Sequence, residues 1–148
     1  MRRIFNRNDI PDFLKQLLHL HQAINMKSEI LARLREMSQT LSGISFSHAA
    51  NSNKKLHSHQ SRVENAAVKI ISVEENLEKD IKKLSELTEK FLAVLDRIDD
   101  IRCREVLTYR YLCGNTWEQV AEKMDYSCIH VINRLHPKAV KLLADFDL

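Results

Sequence analysis

An apolar residue stands at every seventh position through Val63, Ile70, Leu77, Leu84, Phe91 and Ile98. The positions three further on, Ala66, Val73, Asp80, Leu87, Val94 and Ile101, are apolar at all but Asp80. This is the paired stripe of a heptad helix, whose side chains three, four and seven apart share one face. Ala67, Ile71, Ile81 and Leu95 widen it, as in a bundle or against a third helix. At about 1.5 Å of rise per residue, residues 63 to 98 make a rod roughly 50 Å long, which cannot fold back on itself.

The first forty residues repeat the period more loosely. Ile10, Leu17, Ile24 and Leu31 hold one register, while Phe13, Leu20, Leu34 and Leu41 hold the other, interrupted by Lys27. Asp9 is the expected cap, Pro11 is tolerated in the first turn, and Gly43 is the expected stop. Between the two helices, ten of the nineteen residues from 42 to 60 are Ser, Asn or His and none is acidic. That composition predicts a mobile polar connector. It allows the helices to pair antiparallel within one chain or to pair between chains.

Two glycines and two prolines among 148 residues leave too few turn markers for a sandwich or barrel. The expected fold is therefore all-α: a long two-helix coiled-coil hairpin or dimerisation body, followed by a C-terminal helix-turn-helix domain. The expected divisions are an N-terminal amphipathic helix at 1–41, the connector at 42–60, the heptad helix at 61–100 and the helix-turn-helix at 101–148. The net charge is only +3, so any basic surface is local. Cys103, Cys113 and Cys128 are odd in number and show no CxxC pairing, which suits reduced thiols in a reducing compartment. With no apolar run of membrane-spanning length and no signal-type start, the expected location is cytoplasmic, without membrane contact.

After Asp99 and Asp100 the heptads give way to shorter segments. Ile101 to Cys113 reads as a helix ending at Gly114. Thr116 and Gln119 have the spacing of a capping box, opening a helix from Trp117 to Lys123. Met124, Asp125 and Tyr126 form the turn. Ser127 caps the next helix, with Val131, Leu135, Ala139 and Leu142 as its inner stripe. This spacing is that of a helix-turn-helix. From Ser127 to Ala144 there are Arg134, Lys138 and Lys141, two histidines and no acidic residue, the charge of a helix that lies in a major groove.

The run from Arg104 through Tyr109-Arg110-Tyr111-Leu112-Cys113-Gly114-Asn115-Thr116-Trp117-Glu118-Gln119-Val120-Ala121 resembles the start of sigma-factor region 4, the helix-turn-helix that reads promoter −35 elements. Tyr126-Ser127, Arg134-Leu135-His136, Ala139 and Ala66 to Ile71 extend the resemblance to the sigma region 4-like regulators of Firmicute phages and prophages, grouped with ArpU- and RinA-type late-gene activators. The resemblance implies DNA binding and transcription control. Three departures stand out. Asp125 occupies a turn position where Gly is usual, the chain is one residue longer between Ser127 and Arg134, and Pro137 replaces a small residue. Proline cannot donate to a helix, so the recognition helix is expected to span 127–136.

The expected DNA contacts are Thr116, Trp117, Ser127, His130, Asn133, Arg134, Lys138 and Lys141. Asn133 and Arg134 are assigned to bases, and Lys138 and Lys141 to phosphates. The expected partners are double-stranded DNA, further copies of the chain, and RNA polymerase as a candidate for the coiled-coil body. Cys128 and His130 match no zinc spacing, and His57 and His59 read as a solvated pair. No phosphate loop, triad or paired carboxylates appear, so neither catalysis, a metal nor a cofactor is expected. Two alternatives compete: a non-catalytic protein-interaction module, which the acid-free 127–144 stretch disfavours, and a small terminase-like packaging subunit, which usually places its DNA-binding unit first.

Overall fold

The structure is a computed structural model that describes the backbone of residues 10–45 and 53–146 and the side chains of 10–41 and 61–146. It is helical, with no strand among the described residues. The elements are α1 (Asp12–Ser45), α2 (Asn53–Leu95), α3 (Ile101–Leu107) continued by a π turn (Thr108–Leu112), α4 (Trp117–Met124), α5 (Cys128–His130), a second π turn (Val131–Leu135) and α6 (His136–Leu143).

Three boundaries differ from the sequence reading. Helix α1 runs through Gly43 to Ser45, because one glycine costs only about 1 kcal/mol in a helix interior and does not break it unless φ must be positive. Helix α2 starts at Asn53, inside the expected connector. Residues 44 to 60 contain neither glycine nor proline, so nothing in the backbone forbids helix there. The rest of the connector, 46 to 52, lies outside the described residues, as do the expected cap Asp9 and the side chains of His57 and His59. At its far end α2 stops at Leu95 rather than near 100. Asp100 takes over as N-cap of α3, its Oδ1 accepting from the backbone N–H groups of Arg102 (3.0 Å) and Cys103 (3.2 Å). The Arg104 guanidinium donates to the Ile98 carbonyl, at 3.2 Å from Nε.

The chain divides into two compact units, residues 22–82 and residues 1–21 with 83–148. The second unit holds the segment from 101 together with the ends of the two long helices. Its core joins Leu14 and Leu17 of α1 and Phe91 and Leu95 of α2 to Val106, Leu107, Tyr111, Val120, Val131, Ala139 and Leu143. A helix-turn-helix of some forty-five residues has little apolar surface to bury by itself. The ends of the two long helices complete its core, with Phe13 against Phe91 at 5.6 Å between ring centroids.

In the unit 22–82, α1 and α2 run antiparallel: Lys27 bonds Asp80 (2.5 Å) and Arg35 bonds Glu74 (2.6 Å). The heptad stripe of α2 is thus closed against α1 within one chain. Leu31 is buried, and Leu34, Ile70, Val73 and Leu77 are half-buried.

Candidate nucleic-acid interface

The C-terminal helices are set by local chemistry. Gly114 takes φ +68°, which turns the chain after the first π turn and brings the Asn115 N–H to the Tyr109 carbonyl (3.1 Å). The His21 ring lies beside Gly114 and bonds the Tyr111 carbonyl through Nε2 (3.0 Å). Thr116 then forms the capping box: its Oγ1 accepts from Gln119 N–H (3.3 Å), and Gln119 Oε1 accepts from Thr116 N–H (3.0 Å). Helix α4 closes on Asp125 at φ 57°, the left-handed conformation that Asp tolerates better than most residues. Ser127 Oγ accepts from His130 N–H (3.2 Å) and starts α5.

Pro137 does not end the helix. Between Val131 and Leu135 the backbone widens to a π turn, in which the His136 N–H reaches the Val131 carbonyl five residues back. Widening relieves the clash between a proline ring and the preceding carbonyls, and a π turn is an α turn that holds one residue more. From this point the inner face shifts by one residue. The buried positions are Val131, His136, Ala139, Val140 and Leu143, while Leu135 and Leu142, expected inside, are only half-buried.

That shift buries His136, 5% exposed, which the sequence reading missed. Its Nε2 lies 2.7 Å from Tyr111 Oη, and the Trp117 ring meets it edge-on at 4.7 Å. Burial, with help from the nearby Arg110 charge, holds the imidazole neutral at a pKa of about 4. Burial likewise pushes the Tyr111 phenol up to about 12. Pro137, directly after His136, was the available signal for this rearrangement.

The eight expected contact residues separate into two groups. Trp117 is packed between His136 and the Arg110 guanidinium, which lies 4.5 Å from the indole centroid. Thr116 and Ser127 are exposed but occupied as caps. Lys138 is ion-paired with Asp100 (2.6 Å), which lowers the Asp100 carboxyl to about 2. On the outer face of the continuous helix 128–143 stand Asn133, Arg134 and Lys141, all exposed, with His130 at its leading end against the Tyr126 ring (4.9 Å). Ile129, also missed, is 73% exposed beside them. Neither Arg134 nor Lys141 has an ion pair among the described residues.

No protein-family model, curated protein or solved structure matches this chain. No helix among the described residues is long and apolar enough to cross a membrane.

Proposed function

We propose that the chain is a non-catalytic, sequence-specific DNA-binding transcriptional regulator of the phage or prophage type, in which the helix 128–143 enters the major groove. The long helices then serve self-association or contact with RNA polymerase. The observation that carries this reading is the outer face of that helix. Asn133, Arg134 and Lys141 are exposed together, on the second helix of a helix-turn-helix pair whose sequence from Tyr126 to Ala144 contains no carboxylate side chain. Arginine pairs with guanine and asparagine with adenine in the major groove, and lysine adds phosphate affinity through counterion release. Lys138 contributes less than its sequence position implies, since Asp100 holds its charge.

The test is selection of bound duplexes from a random double-stranded library, followed by titration of the enriched duplex at several salt concentrations. Enrichment of one motif, with affinity falling steeply as salt rises, supports the reading; a pool that stays random contradicts it.

A further inference from the structure

Ile129 is the most exposed of the large apolar side chains among the described residues, at 73%. It stands in the first turn of the helix 128–143, between the Ser127 cap and the exposed residues Asn133 and Arg134. The side chains on either side of it have partners in the fold. Cys128 packs against the core, the His130 ring lies against Tyr126 at 4.9 Å, and Ser127 Oγ accepts from the His130 N–H.

Val131 is fully buried, and two residues at about 100° each place Ile129 about 160° round the helix from it, on the side away from the core. Asn133 follows four residues later on the same face, about 6 Å further along the axis. Ile129 therefore extends the row of Asn133 and Arg134 toward the leading end of the helix, the end whose residues meet base edges in a helix-turn-helix.

An apolar side chain on that row has one chemical match in a duplex. Adenine, guanine and cytosine are read in the major groove through hydrogen-bond donors and acceptors, whereas thymine adds its C5-methyl group. Isoleucine suits the task, because its β-branch leaves one strongly preferred χ1 rotamer in a helix and little freedom to lose on contact. The surrounding charge favours a polyanion: Arg134 and Lys141 are exposed on the same helix, and no residue from Tyr126 to Ala144 is acidic. We infer that Ile129 is a specificity-determining residue that packs on the C5-methyl of a thymine in the major groove. That thymine lies within about two base pairs of the position facing Asn133, since about 6 Å along the helix spans about two base steps of 3.4 Å. The inference rests on the proposed DNA-binding function and adds to it the identity of one base.

The test replaces each thymine of the selected duplex, one at a time, by deoxyuridine, which removes the methyl group and leaves every hydrogen-bonding group of the pair in place. At one thymine the unmodified protein is expected to lose about fourfold in affinity, the effect of exposing one buried methyl group. Ile129→Ala, at unchanged helicity by circular dichroism, is expected to bind the thymine and uracil duplexes alike at that position. Ile129→Val keeps the branch and retains most of the discrimination, and Arg134→Ala retains it as well. Comparing the two proteins on the two duplexes isolates the contact from any effect of the methyl group on the duplex itself. Equal sensitivity of the unmodified protein and Ile129→Ala at every thymine, or a selected motif with no methyl-sensitive thymine, overturns the assignment while leaving base reading by Arg134 intact. A library that stays random after selection overturns the DNA reading and this assignment with it.

Discussion

Lys27 and Asp80 are the one polar interruption in each helix's heptad register, and they are each other's partner, 2.5 Å apart and half-buried. An apolar seam by itself tolerates slippage by a heptad. A single polar pair fixes which turn of α1 meets which turn of α2. The pair contributes register more than stability, because the cost of desolvating two charges offsets much of their attraction.

Breaking that pair therefore costs more than exchanging its two members. Lys27→Ala leaves a half-buried carboxylate unpartnered and destabilises the chain by about 1 to 2 kcal/mol, as does Asp80→Ala. The exchange Lys27→Asp with Asp80→Lys restores most of the loss. Urea unfolding of the four proteins gives the coupling directly; additive losses with no recovery in the exchange would show that the pair does not act as a unit.

The two glycines respond in opposite directions to alanine. Gly43 lies inside α1, so Gly43→Ala stabilises by up to about 1 kcal/mol. Gly114 has φ +68°, and an added Cβ meets the His21 ring at 3.1 Å. Gly114→Ala therefore destabilises by about 1 to 2 kcal/mol. Thermal unfolding distinguishes these signs, and a destabilising Gly43→Ala would restore Gly43 as a helix stop.

Acid weakens the fold through His136. Its imidazole titrates at about 4 in the folded chain, against an ordinary value of 6.5. The unfolded chain binds the proton more readily, so this contribution is complete above pH 6.5 and lost as pH falls toward 4, to a total of roughly 3 kcal/mol. In His136→Gln, unfolding free energy changes less over that interval. Parallel slopes for the two proteins between pH 7 and 4 would remove His136 from the account.

Asp100 has two tasks that substitution separates. Asp100→Ala loses the cap and costs about 1 kcal/mol, whereas Asp100→Asn keeps a capping oxygen and loses only the solvent-screened ion pair with Lys138, so it destabilises less. The carboxyl is held at about 2, so its charge-dependent part persists above the ordinary carboxylate range and disappears as pH falls through that value. Equal destabilisation by both substitutions at pH 7 would indicate that the charge, not the cap, dominates.

Features governed by neighbouring residues were legible in the sequence. The capping box at Thr116, the cap at Ser127, and the left-handed turns at Gly114 and Asp125 each depend on side chains within three residues. The heptads likewise revealed both long helices, although not that Lys27 and Asp80 meet. The residues misread are those that packing decides. Leu135 belonged inside by α-helical spacing, but the π turn put His136 there, against the edge of the Trp117 ring. Polar composition suggested a loop at 42 to 60, yet polarity only removes the apolar face of a helix and does not prevent its hydrogen bonds.

The central claim is that the outer face of helix 128–143 reads DNA, and side-by-side titration of one selected duplex with base-substituted duplexes tests it most directly. Unmodified protein is expected to prefer the selected duplex at least a thousandfold over a scrambled one at about 0.15 M salt. Arg134→Ala should lose about 1 to 3 kcal/mol of discrimination at one base pair, and Lys141→Ala should weaken every duplex alike and lower the salt slope by about one unit. Equal affinity of the unmodified protein for all duplexes, or uniform losses from Arg134→Ala across the base-substituted series, would contradict the assignment.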